Sequence, residues 1–182
     1  GCFVLRKRIG TGMAHVKLQN ASLEYVEHGS GAPVIFIHGT LEDYRVWNAQ
    51  KSVFAESFRV IAYSRRYHFP NAARGDETDY APKLHADDLG EMMDALGIER
   101  AYLVGASYGA YCALTFATMY PERVSACVLG EPPIIPWLLE TPHEAEIARM
   151  FYERAWRPAG DAFARDETET ALRLFVDGVN RP

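Results

Sequence analysis

An α/β protein with a mostly parallel sheet, helices on both faces and a helical lid is the architecture this sequence predicts. Three observations carry that reading. Four short runs are continuously apolar and rich in β-branched residues instead of alternating, which marks strands buried on both faces: 34–37 (VIFI), 60–63 (VIAY), 102–104 (YLV) and 124–129 (VSACVL). Helical patterns lie between them, and the order strand, helix, strand, helix implies parallel pairing. After Leu129 the character changes to GEPPIIPW and then to charged helical sequence.

Taken in order, residues 1–12 precede the first methionine and are given no role in the fold, reading as an extraneous or disordered segment. Residues 14–18 and 22–27 flank the turn pair Asn20-Ala21 and predict an antiparallel hairpin that joins the edge of the sheet. Val46, Trp47, Gln50, Val53 and Phe54 keep a 3.6-residue apolar stripe. Leu84, Asp88, Leu89, Met92 and Leu96 do the same, with Pro82 suited to a first helical turn and Gly97 to a C-terminal stop. Beyond the core, placed at 13–133, two helices are expected at about 143–157 and 161–180. They belong to a separate lid segment, 134–182, lying over the carboxyl edge of the sheet.

Composition narrows the function classes. Of 182 residues, 48% are apolar, 24% charged and 12% aromatic, which excludes a disordered or collagenous chain and leaves room for one hydrophobic core. Nineteen Lys and Arg against 24 Asp and Glu give a net charge of −5 with no basic cluster, so nucleic acid is not an expected partner. The apolar runs are too short for a membrane span, and no secretory hydrophobic region follows the basic N-terminal residues. Cys2, Cys112 and Cys127 form an odd set without framework spacing, and the last two sit in apolar runs as small core residues. A soluble protein of a reducing cytoplasm is the expectation.

The chemistry centres on Gly105-Ala106-Ser107-Tyr108-Gly109, a G-x-S-x-G directly after one predicted strand and directly before a helical pattern. A strand-to-helix turn this tight needs small residues two before and two after the serine, and it lifts the hydroxyl above the carboxyl ends of the strands. Ser107 is therefore the candidate nucleophile; the competing reading is a plain helix N-cap. At the end of another buried strand lies Phe36-Ile37-His38-Gly39-Thr40. Acyl transfer needs N–H donors aimed at the oxygen that becomes negative. The candidates are the N–H of Tyr108 and that of Thr40, with Leu41 as the alternate. A simple turn at His38-Gly39 is the competing reading.

IFIHGT, the Ser107 turn, HADDLGEMMDALG before its strand and YPERVSACVLGEPP after its helix together resemble the α/β-hydrolase fold superfamily, from about residue 14 to residue 133. SRRYHFPN and LGEPP resemble a lid-bearing, esterase-like serine hydrolase branch. In the dehalogenase and epoxide hydrolase branches the nucleophile is Asp, and Ser107 argues against both.

The resemblance implies a triad ordered Ser, then Asp or Glu, then His. Only His143 follows Ser107, in the predicted lid, where it reads as either the base or a solvated residue. His85 is expected to pack or cap, His38 to brace the oxyanion loop and His68 to line a pocket mouth. Relatives that place the acid at the strand end after the nucleophile helix make Glu131 the candidate acid. A local backbone bond from Glu131, with the acid further downstream, is the alternative. Two more βα units would need about 60 residues, so the sequence is expected to be incomplete at its C-terminus, leaving an apolar edge strand and an uncovered sheet face.

The implied function is a serine hydrolase acting on a small carboxylic ester or related acyl compound, without metal or organic cofactor. Its pocket is expected to be bounded by Leu41, Tyr108, Ile134, Trp137 and Leu138. The alternatives are hydrolysis of a carbon–carbon bond in a β-diketone-like compound, with Arg149 or Tyr152 holding the dicarbonyl, and a non-catalytic small-molecule receptor. The expected partner is a small acyl substrate, with a homodimer left open and neither nucleic acid nor membrane expected.

Overall fold

The computed structural model describes residues 12–71 and 79–180. The segment given no role in the fold lies outside the described residues apart from Gly12. Residues up to Pro133 form one compact unit and residues from Ile134 onward another.

The first unit is a six-stranded sheet in the order β1-β2-β4-β3-β5-β6. Strands β1 (Ala14–Lys17) and β2 (Ser22–His28) form the predicted hairpin, and β2 pairs antiparallel with β4 (Arg59–Tyr63). The remaining pairs are parallel: β3 (Pro33–Ile37) with β4, β3 with β5 (Ala101–Ala106), and β5 with β6 (Val124–Gly130). The chain steps from β3 to β4 on one side, then crosses back to β5 on the other. The carboxyl ends of β3 and β5 therefore flank the reversal, where parallel sheets open a crevice for ligands. Ile37 pairs with Gly105, so the loops leaving the two strands start side by side.

The strands are apolar throughout because both faces are covered near β3. On one face Ile35, Ile37, Ile61, Tyr63 and Leu103 pack against Ala86, Leu89, Met92 and Met93, and against Cys112, Ala113 and Phe116. On the other, Val34, Phe36, Val60 and Ala62 pack with Trp47. Each buried Val, Leu, Ile, Phe or Met side chain among them contributes about 1.5–3 kcal/mol through burial. Helix α1 (Asn48–Phe54) follows a short 3-10 turn, Tyr44–Trp47, capped by the Asp43 carboxylate. Helix α2 (Pro82–Ala95) opens on its proline and ends before Gly97, whose φ is 66°. Helix α3 (Tyr108–Met119) follows the serine turn.

Three sequence expectations are corrected. Of the stripe, the one buried residue is Trp47, in the 3-10 turn before α1; Val53 is 66% exposed, and Phe54 makes an edge-to-face contact with Phe36 of the sheet. Strand β6 is not buried on both faces as its apolar run suggests, and is instead the apolar edge strand also expected from the sequence: among the described residues it has β5 as its single neighbour, and Val128 stands 62% exposed on the side of α1. An edge strand with one helix against it cannot bury alternate side chains on its open face, whatever their hydrophobicity.

The third correction is in the second unit, formed by α4 (Ile135–Leu138), α5 (Pro142–Phe151), a π-helical turn (Tyr152–Trp156), α6 (Arg157–Phe163) and α7 (Thr168–Asn180). The helix runs on through residues 157–160, where an interruption is expected, and breaks after Phe163 instead. The wide π turn absorbs the donor that Pro158 lacks, and Asp166, with φ 59°, turns the chain. Ala148, Ala155, Ala159, Ala162 and Ala171 are its buried residues, small enough for close helix packing, and Phe151, Trp156 and Phe175 cluster edge to face. Among the described residues no helix is long and apolar enough to cross a membrane, and no group of three or more His, Cys, Asp or Glu could hold a metal.

Candidate active site

Strand β5 ends in a backbone turn that few residues adopt. Ser107 has φ 50° and ψ −124°, a conformation costing about 1–3 kcal/mol in a non-glycine residue. Two glycines let it form. A methyl group on Gly105 would lie 2.6 Å from the Cα of Ala110, and one on Gly109 would lie 2.2 Å from the carbonyl oxygen of Ile37. The turn is tied down by Ser107 N–H donating to Gly130 O (2.7 Å), while Ser107 O accepts from Ala110 N–H (2.9 Å). The side chain makes no capping hydrogen bond and is exposed. A serine that served only as an N-cap would spend its hydroxyl on the helix.

The loop after β3 lies against this turn. A Cβ on Gly39 would sit 3.1 Å from the Cβ of Ser107 and 3.0 Å from Glu42 Oε2. Glu42 Oε2 accepts the Gly39 N–H at 2.8 Å, so that donor is already engaged. The N–H groups of Thr40 and Tyr108 have no acceptor among the described residues; the latter opens a helix, where the first donors are left free. Leu41 sits at the loop tip with φ 61° and is 53% exposed.

Beneath the loop is a buried polar cluster. Arg65, 1% exposed, donates from Nε to His38 O (3.1 Å) and from Nη2 to Gly39 O (3.0 Å) and Tyr80 Oη (3.0 Å). Its backbone N–H donates to His38 Nε2 (2.9 Å). Because Nε2 accepts there, the proton of His38 sits on Nδ1, which donates to Gly39 O (2.8 Å). Arg65 Nη1 meets His85 Nε2 at 3.2 Å, and His85 Nδ1 is buried without a partner among the described residues. His68 Nδ1 donates to Glu42 O at 2.8 Å, its Nε2 faces Tyr80 Oη, and its ring packs edge to face on His38. Burial first, and the Arg65 charge second, hold these imidazoles neutral: His38 falls to about 3, His68 to about 4 and His85 to about 2. Burial likewise pushes the Cys112 thiol up to about 12.

Glu131 follows Gly130, whose carbonyl holds Ser107, and has φ 50°. Its carboxylate is exposed and hydrogen-bonds nothing among the described residues, so the local backbone bond considered from the sequence does not form. His143 is exposed on α5, and Trp137, 61% exposed, and Leu138 lie on α4. These three belong to the second unit.

A strained serine between two obligatory glycines, at the switch point of a parallel sheet and facing a His-Gly loop, coincides with a family match over residues 32–176, described as the alpha/beta hydrolase fold. The chain belongs to the α/β-hydrolase fold family. Epoxide hydrolase 3 of Mus musculus is 32% identical over 120 residues, covering 65% of this chain and 33% of that protein. An epoxide hydrolase of Caballeronia sordidicola is 36% identical over 106 residues, covering 58% of this chain and 32% of that one. A solved meta-cleavage product hydrolase from Pseudomonas fluorescens aligns with a TM-score of 0.60 at 30% identity, covering 64% of this chain and 43% of that structure. The chain thus spans about a third of the length of these curated relatives.

Sequence reading of this hydrolase-fold chain missed Arg65, Glu42 and Tyr80. A signal for the first was present: an Arg pair directly after a buried strand. Arg66 turns to the buried Asp88 carboxylate on α2, whereas Arg65 turns to the loop after β3. Nothing local distinguishes the two.

Proposed function

We propose that this chain carries the nucleophile half of a serine hydrolase that cleaves a small carboxylic ester or related acyl compound. The observation supporting it most directly is the unpartnered, exposed Ser107 hydroxyl on a strained strand-to-helix turn beside two free N–H groups. In this reading Ser107 Oγ attacks the carbonyl carbon and loses its proton to a general base. The oxygen that becomes negative accepts from Thr40 N–H and Tyr108 N–H, donors already in place and costing no reorganisation. The C–O bond to the alcohol breaks, the base returns the proton to the leaving oxygen, and water then hydrolyses the acyl-enzyme.

Glu131 is proposed as the acid, since its exposed carboxylate, without a partner among the described residues, stands at the strand end beside the nucleophile turn. His38, His68 and His85 are hydrogen-bonded within the loop cluster, and the proposal takes the base from sequence outside this segment. Leu41 and Tyr108 bound the acyl site. The free thiols of Cys112 and Cys127 agree with a reducing cytoplasm.

Epoxide opening fits this site less well. Attack by a serine hydroxyl on an epoxide carbon gives an ether with no carbonyl for water to attack, so the enzyme would not turn over. Carbon–carbon bond hydrolysis is the second reading, favoured by the likeness to a meta-cleavage product hydrolase. It needs the same nucleophile.

The test is intact-mass spectrometry of the full-length protein with a fluorophosphonate probe. One adduct is expected, absent in Ser107→Ala. An adduct of equal yield on that variant would overturn the nucleophile assignment. Competition between p-nitrophenyl butyrate and a vinylogous β-diketone then separates the two readings.

A further inference from the structure

The Gly39–Thr40 peptide unit has its two ends in different environments. Its carbonyl oxygen faces the buried side, where it accepts from Arg65 Nη2 at 3.0 Å and from His38 Nδ1 at 2.8 Å. In a trans peptide the C=O and N–H point in opposite directions. Fixing the oxygen on the buried side therefore fixes the Thr40 N–H toward the open side, and the loop lies close enough to the nucleophile turn that a Cβ added at Gly39 would come 3.1 Å from Ser107 Cβ. The adjoining carbonyl, His38 O, is held by Arg65 Nε, so one guanidinium clamps two successive peptides. No carboxylate hydrogen-bonds Arg65 among the described residues; backbone oxygens, a phenol and an imidazole satisfy it instead.

Burying a cation that way is costly unless its donors are all used. Packing alone does not require it, since an apolar side chain would fill the space. A charge-assisted donor on the carbonyl also polarises the peptide, which strengthens the N–H at its other end as a donor.

We propose that Arg65, acting with His38, is a positioning residue for the oxyanion site: it sets the direction of the Thr40 N–H and sharpens it as a donor without touching substrate. This rests on the reading of Ser107 as an acyl-transfer nucleophile. A flexible loop at the same place would offer the N–H only part of the time, and the gain is realised where negative charge develops, in the transition state. Lysine keeps the charge but has a single nitrogen in place of the planar fork, so it cannot hold both carbonyls in this geometry.

The experiment compares wild type, Arg65→Lys, His38→Asn and Ser107→Ala in the full-length protein. The readouts are p-nitrophenyl butyrate kinetics and inhibition by an alkyl trifluoromethyl ketone, whose hydrate anion mimics the oxyanion. Arg65→Lys is expected to lower kcat about 10- to 100-fold with KM unchanged, and to weaken the ketone by the same factor. Arg65→Lys that folds with wild-type kcat and wild-type ketone affinity overturns the positioning role while leaving the nucleophile in place. Full activity in Ser107→Ala overturns the acyl-transfer reading and the positioning role with it. Should Arg65→Lys not fold, nitrogen NMR of His38 in the wild-type protein decides. Protonation on Nδ1 at pH 7 supports the clamp, and protonation on Nε2 removes one of its two donors and overturns it.

Discussion

The sheet is finished around β3 and β5 and open at β6. Near β3 both faces are covered, and the loop that follows it is held by Arg65, His38 and Glu42. At β6, Val128 is exposed and Glu131 has no hydrogen-bond partner among the described residues. The difference teaches where this segment spends its order: on the nucleophile turn and the facing loop, whose geometry has to be right to fractions of an ångström. On the side carrying the proposed acid the described residues supply no comparable hydrogen bonds. Hydrogen-bonded loops over close-packed strands have discrete positions, whereas an exposed carboxylate samples several rotamers.

The sharpest way to break this comparison is glycine substitution on its two sides. Gly109→Ala pushes a methyl group to 2.2 Å from Ile37 O and 2.5 Å from His38 O, both backbone atoms that cannot move away. It should cost at least about 4 kcal/mol in urea melts. Gly130→Ala, at the end of β6, places its methyl 3.5 Å from Gly105 O, an ordinary contact, and should change stability by less than about 0.5 kcal/mol. Equal costs would mean that the two ends are equally constrained.

Core truncation gives the next largest effect. Phe116 is fully buried between α3 and the sheet, and Phe116→Ala should lose about 3–5 kcal/mol. Val128→Ala removes atoms already in water and should lie within about 0.5 kcal/mol of wild type by the same melts.

Acid should act on the closed side. His38, His68 and His85 have folded values of about 3, 4 and 2, below the value near 6.5 expected for imidazole in the unfolded chain. Between those limits the unfolded state binds more protons, so stability is full above pH 6.5 and falls as the pH drops toward 4. Urea midpoints at pH 7 and 5 should differ by a few kcal/mol in stability. Val128→Ala should leave that slope unchanged, and a flat profile would show that the imidazoles titrate freely.

The smallest effect on folding is expected at Glu131. Glu131→Gln should leave the melting temperature within about a degree, because the carboxylate touches nothing among the described residues. If it is the acid, kcat in the full-length protein falls at least about 100-fold. Unchanged kcat would move the acid elsewhere.

Much of this was legible in the residues themselves. The parallel strands, the hairpin, the glycine-flanked serine and the caps of α2 all depend on neighbours in sequence: apolar runs, a proline at a first turn, small residues around a strained φ. These are properties of a few consecutive dihedral angles, and the chain states them locally. The helix break after Phe163 was misplaced because a π turn can accommodate a proline that propensity alone reads as a stop.

What only the tertiary structure decided were matters of coverage and of distant partners. An apolar run says that a strand can be buried and not which of its residues are covered: β6 reads like β3 by composition, an open edge was expected from the topology, and only the structure shows that Val128 is among the residues left exposed. Arg65 and Arg66 are adjacent and chemically identical in sequence. The loop after β4 aims one at Asp88 and the other at carbonyls 27 and 26 residues away. A loop side chain's direction follows from its neighbours in space, and a buried cation acquires its meaning only from the groups that replace its water.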